Sequence, residues 1–238
     1  VIRDNTPPEL VLLGDLTVNL EAGEKYIEQG ALAKDAVDGD LKDKIKIGYP
    51  PSFEKPGEYF VTYDVSDMSD NRAKQLLRKI VINDTTNPII QLKGDPWIYV
   101  EAGESYIDAG VVATDSVDGD LSTTVLVENP VDIRKPGEYT ITYDVADSSG
   151  NKALQLLRKV SVRDTLKPEI KLVGEVELQL EVGRLYSDAG ATAVDEFEGN
   201  LTASIKVDNQ VDATIPGSYT VLYDVEDSSG NQAKQVVR

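Results

Sequence analysis

The sequence predicts an all-β protein made of three tandem β-sandwich domains. Three observations lead to this prediction. One pattern occurs three times at a spacing of 80 residues, each copy holds short stretches in which apolar and polar residues alternate, and Gly and Pro separate these stretches. Because stacked solenoid repeats are shorter, at roughly 20 to 50 residues, we expect an elongated array of separate domains.

The period of 80 residues holds along the chain without insertion or deletion. The residues that mark it are Gly23, Gly103 and Gly183; Pro56, Pro136 and Pro216; Tyr63, Tyr143 and Tyr223; and Asn71, Asn151 and Asn231. We predict domains at residues 5–84, 85–164 and 165–238. Residues 1–4 match the end of a copy, so we expect a segment of a longer array whose last strand is cut short. The alternative is a complete protein of three domains.

The first copy contains several short stretches that are predicted to be strands. Residues 9–13 are a short apolar run, and residues 16–20 alternate apolar with polar side chains, as half-buried strands do. Residues 30–34 and 44–49 are predicted as the next two strands. Two prolines at 50 and 51 end this part, because consecutive prolines are not accommodated in a central strand.

The clearest strand follows Pro56-Gly57, a dipeptide typical of a type II turn. Its predicted core face recurs in every copy and consists of Tyr59, Val61, Tyr63 and Val65 in the first. A turn is predicted at 67–71 and a last strand at 72–82. The regular alternation of apolar and polar residues is interrupted within this strand, which indicates a β-bulge. The basic pair at 78 and 79 is interpreted as protecting a sheet edge, or as contacting acidic neighbours. No stretch has a convincing helical period.

A longer motif runs through each copy. In the second copy it comprises Asp84, Pro88, Glu101, Gly103, Tyr106, residues 115–121, residues 136–145 and residues 147–151. This motif resembles a family of bacterial immunoglobulin-like domains that occurs in pesticidal-crystal-type proteins, surface adhesins and secreted polysaccharide-degrading enzymes, and that is similar to hyalin-repeat and PKD domains. The resemblance implies tandem immunoglobulin-like sandwiches, a secreted or cell-surface bacterial location, and a spacer, adhesion or accessory role.

The composition argues against several classes of function. The chain has no Cys and no His, so it cannot form disulfides, thiolate metal sites or catalytic arrangements that require His. Its net charge of −18 repels nucleic acids and anionic membranes. No apolar stretch is long enough to span a membrane, so we expect no membrane insertion. We predict that the chain is not an enzyme.

Acidic residues concentrate in three loops of each copy, and these loops meet at one end of an immunoglobulin-like sandwich. The candidate ligands are Asp4, Asp35, Asp38, Asp40, Asp67, Asp84, Asp115, Asp118, Asp120, Asp147, Asp164, Asp195, Glu198, Asn200 and Asp227. Crowded carboxylates repel one another, and calcium, which prefers oxygen ligands, relieves that repulsion. We therefore predict calcium at the domain junctions. The alternative is that Asp-Gly turns place solvated Asp side chains there.

Two further readings concern catalysis and sugar binding. A glycosidase needs a carboxylate pair across a cleft, but these acids recur in every copy, which indicates a structural role. Trp97 is the sole Trp, and Thr17 and Glu177 occupy its place in the other copies. With Tyr99 it forms a candidate sugar-stacking site. The alternative is that the ring covers a neighbour or a sheet edge.

These observations predict a structural segment that holds other domains away from a bacterial cell or builds a surface layer. Its partners are then the flanking domains of the same array. One alternative is a module that binds a surface glycan or a host protein, and another is an accessory part of a secreted polysaccharide-degrading enzyme.

Overall fold

A computed structural model describes residues 3–238 and confirms a nearly all-β chain of three tandem immunoglobulin-like domains. Val1 and Ile2, which we assigned to the tail of a preceding copy, lie outside the described residues. Each repeat contributes two separate sheets, and this pairing of sheets agrees with the sandwich that the alternating stretches predict.

The first repeat has seven strands: β1 (Glu9–Leu12), β2 (Thr17–Glu21), β3 (Ala31–Asp35), β4 (Gly39–Asp40), β5 (Lys46–Gly48), β6 (Gly57–Asp64) and β7 (Leu76–Asn83). One sheet has the order β1-β3-β4 and the other has the order β2-β7-β6-β5. A 3₁₀ helix at Lys42–Lys44 links the two sheets.

The second repeat follows the same order: β8 (Ile89–Leu92), β9 (Trp97–Glu101), β10 (Val111–Asp115), β11 (Gly119–Asp120), β12 (Leu126–Glu128), β13 (Gly137–Asp144) and β14 (Leu156–Arg163). Its sheets are β11-β10-β8 and β12-β13-β14-β9.

Contacts divide the chain into two compact units. One extends to Gln91 and includes Val111–Leu126 and Tyr143–Leu156, and the other comprises Leu92–Gly110, Val127–Thr142 and Leu157–Arg238.

The third repeat has six strands: β15 (Glu169–Leu172), β16 (Ala191–Asp195), β17 (Gly199–Asn200), β18 (Lys206–Asn209), β19 (Val221–Asp224) and β20 (Val236–Val237). Its sheets are β15-β16-β17 and β18-β19-β20, and a 3₁₀ helix covers Thr202–Ser204. The described residues of this repeat form no strand at the position that β2 occupies in the first repeat.

The core of the first repeat lies where the strand patterns predict it. Val61, Tyr63 and Ile80 are fully buried, and Ala31 and Ile82 pack against them. Val65, just beyond β6, contributes to a second cluster with Ala33 and Leu41. The predicted core face of β6 is therefore confirmed. Burial of each large apolar side chain contributes about 1.5–3 kcal/mol to folding.

Two local predictions around β5 and β6 are wrong. Lys44 belongs to the 3₁₀ helix rather than to a strand, so β5 starts only at Lys46. The Pro56-Gly57 corner is not a type II turn, because Gly57 has φ of 151° and already begins β6. The Tyr59 ring lies against Gly57, and its hydroxyl donates a hydrogen bond to the carbonyl of Lys55 at 2.8 Å.

The last strand of the first repeat is shorter and more central than predicted. β7 covers Leu76–Asn83, whereas Arg72 makes only an isolated bridge with Ser66. β7 lies between β2, to which it is parallel, and β6, to which it is antiparallel. The basic pair therefore does not protect a sheet edge. Arg78 is instead fully buried and contacts an acidic neighbour.

That arginine is the centre of a buried polar network. Its Nη1 donates a hydrogen bond to Glu28 at 2.8 Å, and its Nε donates to the carbonyl of Asp15 at 2.9 Å. The Tyr63 hydroxyl donates to Glu28 at 2.6 Å. Burial alone raises the pKa of Glu28, but the hydrogen bonds outweigh burial and hold this pKa below its usual value. The third repeat has the same arrangement, in which Arg238 pairs with Asp188.

Candidate metal centres

The first acidic cluster forms where the entering chain meets two loops. Asp4 precedes β1, Asp38 lies in the turn between β3 and β4, and Asp67 lies in the turn after β6. One carboxylate oxygen from each residue lies within 4.8 Å of the other two. This is the convergence that the sequence predicts for these three loops.

Side-chain hydrogen bonds to the backbone fix the shape of both loops. Oδ1 of Asp35 accepts the N–H groups of Val37 and Asp38 at 2.7 and 2.9 Å. Oδ1 of Asp67 accepts the N–H of Asn71 at 2.8 Å. Asp and Asn favour such local bonds, so the turns follow from the residue types. Because of this shape, Oδ2 of Asp38 reaches across and accepts the N–H of Met68 at 2.8 Å.

The other repeats build related clusters, of which only the third uses the same three positions as the first. The second cluster contains Asp84, Asp115 and Asp118, and the third contains Asp164, Glu198 and Asp227; each has the same limit of 4.8 Å. In the third cluster Glu198 replaces the Asp of the other copies, and its Oε1 accepts the N–H of Ser228 at 2.8 Å.

Not all candidate residues contribute to these three groups. Asp35, Asp147 and Asp195 are buried beside them, and the position of Asp35 corresponds to that of Asp115 in the second group. Three others accept backbone N–H bonds in the next turn, which places their side chains in a local capping role. These are Asp40 with Lys42, Asp120 with Ser122, and Asn200 with Thr202.

The clusters hold buried carboxylates without a neighbouring cation. Asp84, Asp164 and Asp227 are less than one-tenth exposed, and within residues 3–238 no ion pair includes a member of the three groups. Burial, followed by the charges of Asp195 and Asp227, raises the pKa of Asp164 above its usual value. At 4.8 Å, two such charges repel by about 3 kcal/mol if the effective dielectric constant is about 20.

Three of the buried oxygens have no hydrogen-bond partner. They are Oδ2 of Asp4, Oδ2 of Asp115 and Oδ2 of Asp195. Asp195 is only 2% exposed, so water does not solvate this oxygen freely. A buried, unpartnered carboxylate oxygen is costly unless a ligand satisfies it.

The chemistry of the clusters fits a hard divalent cation. Calcium binds oxygen at about 2.3–2.6 Å, so two oxygens on one ion are at most about 5 Å apart. The spacing of 4.8 Å within each group meets that limit. Carboxylates supply the negative charge that such an ion requires, and nitrogen or sulfur ligands are not involved.

Sequence reasoning identified the acids but not the side chains that hold the junctions. Nδ2 of Asn151 donates to the carbonyl of Asp84 at 3.0 Å and to Oδ2 of Asp147 at 2.7 Å. On the other side, the N–H of Thr85 donates to Glu21 at 2.6 Å. Equivalent bonds involve Asn231 and Glu101 at the next junction. The recurrence of this Asn in every copy was the available signal.

The candidate sugar site lies on β9, which is an edge strand of its sheet. Trp97 and Tyr99 are 58% and 67% exposed, and they lie two residues apart on the same strand. The guanidinium of Arg163 lies 4.7 Å from the centre of the Tyr99 ring. Two neighbouring exposed rings can stack on an apolar or sugar face.

Comparison with known proteins places each repeat in one family. The model of the family described as "Bacterial surface protein, Ig-like domain" matches residues 10–82, 90–162 and 170–238. Within the part of the chain that the structure describes, no helix has the length and apolar character needed to cross a membrane.

Three curated relatives extend this comparison. Pesticidal crystal protein Cry22Aa of Bacillus thuringiensis is 33% identical over 216 residues, covering 86% of this chain and 28% of the relative. Hyalin of Strongylocentrotus purpuratus is 26% identical, and the match covers 98% of this chain and 20% of hyalin. The outer cell wall protein of Brevibacillus brevis is 28% identical, covering 58% and 16%. The chain therefore spans less than a third of the length of each relative.

Proposed function

Because the chain belongs to the family of Ig-like domains of bacterial surface proteins, we propose that it is a non-catalytic spacer segment of a secreted or cell-surface protein. In this proposal each acidic cluster binds one calcium ion. The ion ties the entering chain to loop carboxylates of the repeat that follows, and so limits rotation at the junction. The flanking domains of the same protein are the partners.

The observation that supports this proposal is that an acidic cluster occurs at the same end of all three repeats. The first and third clusters join the entering chain to the same two loops, whereas the second takes Asp115 and Asp118 from one of those loops. Each cluster contains or adjoins a buried carboxylate oxygen that has no hydrogen-bond partner. An active site is not expected in three equivalent copies, whereas a junction device is needed once for each domain. The acidic groups thus support a structural role better than a catalytic one.

The contacts of the linkers also support the proposal. Between the first two repeats, the backbone at Asp84 and Thr85 is bound by Glu21 from one side and by Asn151 from the other. The Ser149 hydroxyl adds a hydrogen bond to Oδ2 of Asp84 at 3.2 Å. A linker that is held by side chains of both neighbours has few free backbone torsions, which suits a spacer of defined length.

Calorimetric titration tests the calcium component directly. Chelator-treated protein is titrated with CaCl₂, and we expect heat from three sites together with a rise in Tm, since an ion that binds only the folded state stabilises it. The variant Asp118→Asn weakens the second site. Asp43→Asn, an exposed residue outside the clusters, removes the same charge and serves as the control. No heat and no change in Tm would remove calcium from the proposal.

Small-angle scattering tests the spacer role. If calcium limits rotation at the junctions, the maximum dimension of the chain should fall or its distribution broaden when a chelator is added. The Asp118→Asn variant should show part of that change in the presence of calcium, and Asp43→Asn should show none. Identical curves with and without calcium would contradict a stiffening role, even if calcium binds.

A second candidate function is glycan binding by the aromatic pair on β9. It is favoured by the exposure of Trp97 and Tyr99, which the other repeats replace with Thr17 and Asn19 or with Glu177 and Gln179. A glycan array probed with the chain and with Trp97→Ala tests it. Hits that disappear in the variant would support sugar binding, and an array without hits would leave the spacer role alone.

A further inference from the structure

An aromatic side chain of the third repeat contacts the second repeat at the second junction. Phe197 lies in the turn between β16 and β17, and its Cδ2 is 3.5 Å from the position that a Cβ would take on Gly103. Gly103 lies in the turn that follows β9, and both residues belong to the same compact unit. The two turns are therefore in van der Waals contact through the Phe197 ring.

Hydrogen bonds fix the turns on both sides of this contact. In the third repeat, Oδ1 of Asp195 accepts the N–H groups of Phe197 and Glu198 at 2.8 and 2.9 Å. In the second repeat, the N–H of Gly103 donates to the carbonyl of Ile133 at 2.8 Å. Because neither turn is free to follow the other, a contact between them restricts rotation of one repeat against the next.

The first junction has no such aromatic contact. Val117 takes the place of Phe197 there, and among the described residues no atom outside the adjoining chain lies within 4 Å of the position of a Cβ on Gly23. Ala102, next to the ring contact, is only 6% exposed, whereas its counterpart Ala22 is partly exposed. The two junctions therefore differ in the apolar surface that they bury.

The contact involves a turn that also supplies a carboxylate to an acidic cluster. Glu198 belongs to the third cluster, and without a cation the carboxylates there repel one another and favour separation of the turn from the entering chain. The adjacent ring opposes that separation, because it would expose apolar surface to water. At the first junction Asp115 and Asp118 share a turn with Val117, whose smaller side chain offers less resistance.

We propose that the Phe197 contact keeps the second junction restrained in the absence of metal ions, whereas the first junction depends on its bound ion. The difference in calcium dependence rests on the proposed calcium sites, but the apolar contact does not. Burial of apolar surface is unaffected by a chelator. Removal of calcium should therefore release rotation at the linker of residues 84–88 and leave the linker of residues 164–168 restrained.

Distances between spin labels test each junction separately in the full chain. The chain has no Cys, so introduced Cys residues are labelled without background. Lys46, Leu126 and Lys206 are exposed and occupy equivalent places on β5, β12 and β18. Double electron–electron resonance on the 46/126 pair reports on the first junction, and the 126/206 pair reports on the second. In chelator we expect a broad 46/126 distribution and a narrow 126/206 distribution, and CaCl₂ should narrow the first.

Two substitutions remove or transplant the contact. Phe197→Ser should widen the 126/206 distribution in chelator by about twofold, because the buried apolar surface is lost, and Phe197→Leu should keep most of the restraint. Val117→Ser is the matched control and should leave the 126/206 distribution unchanged. Val117→Phe should narrow the 46/126 distribution in chelator, which keeps the test decisive if Phe197→Ser unfolds the third repeat.

Two results would overturn the proposal. One is a 126/206 distribution in chelator that is as wide for the unsubstituted chain as for Phe197→Ser. The other is an equal width at both junctions of the unsubstituted chain in chelator. If calcium narrows neither distribution but Phe197→Ser still widens the 126/206 distribution, the Phe197 contact is supported and the calcium sites of the proposed function are not.

Discussion

Replacing Arg78 with Met tests whether the buried ion pair holds the first repeat together. Arg78 is fully buried, pairs with Glu28 at 2.8 Å, and donates further bonds to the carbonyls of Leu13 and Asp15. Met fills similar space without a donor, so Glu28 loses its compensating charge and the carbonyls lose their donor. Removing one partner of a buried pair costs about 3–5 kcal/mol.

That loss should separate the unfolding of the first repeat from the rest. For a domain of this size, 1 kcal/mol shifts Tm by about 4–8 °C, so we expect the first repeat to melt about 12–40 °C lower. Differential scanning calorimetry should show this as an early transition with about a third of the total heat. The double variant Arg78→Met, Glu28→Leu should recover part of the loss, because it leaves no buried charge without a partner.

Arg72→Met makes the same chemical change at an exposed position of the same repeat and should leave Tm nearly unchanged. If Arg78→Met melts like Arg72→Met, the buried network contributes no more than surface charge, and the reasoning is refuted. A double variant that is no more stable than the single variant would indicate that lost packing, rather than the uncompensated charge, causes the effect.

Three further predictions follow from the same contacts. Acidification below about pH 4 should destabilise the first repeat. The folded-state pKa of Glu28 is lowered, so its ionised form stabilises the fold, and this stability is lost as the pH falls through that pKa. Glu28→Gln should flatten the dependence of Tm on pH in thermal scans from pH 7 to 3. Asn151→Ala removes the hydrogen bond to the Asp84 carbonyl, so it should destabilise the second repeat by about 1–3 kcal/mol and speed amide exchange at Thr85 and Thr86. The control variant Asn19→Ala, at an exposed position, should have neither effect. Gly39→Ala should cost about 1–2 kcal/mol in urea unfolding because Gly39 has φ of +76°, and Gly39→Asn should cost less; equal losses would contradict a conformational cause.

The sequence allowed the repeat, the main strands and the convergence of the acidic loops to be predicted. The face of β6 followed from simple alternation, because one side of that strand is buried and the other is not. The acidic clusters followed from topology, since the turns after β3 and β6 lie at the same end of such a sandwich as the entering chain. These predictions needed only local patterns and one known arrangement of strands.

The buried network was outside the reach of the same reasoning. Arg is rarely buried, so a pattern of apolar and polar residues assigns Arg78 to the surface. Its partner Glu28 is 50 residues away in the sequence, and nothing local links the two. The prediction of a type II turn at Pro56-Gly57 was wrong for a related reason. The Tyr59 ring lies against Gly57, and the dipeptide alone does not reveal this contact.

The central place of β7 has a consequence for how each repeat is assembled as it is made. β7 is the last strand of its repeat to leave the ribosome, yet it must enter between β2 and β6, which are made earlier. A nascent repeat therefore keeps its interior accessible until the final ten or so residues emerge, and then closes in one step. Synthesis in sequence exposes one unfinished repeat at a time, which lowers the chance that neighbouring repeats of the same fold exchange strands.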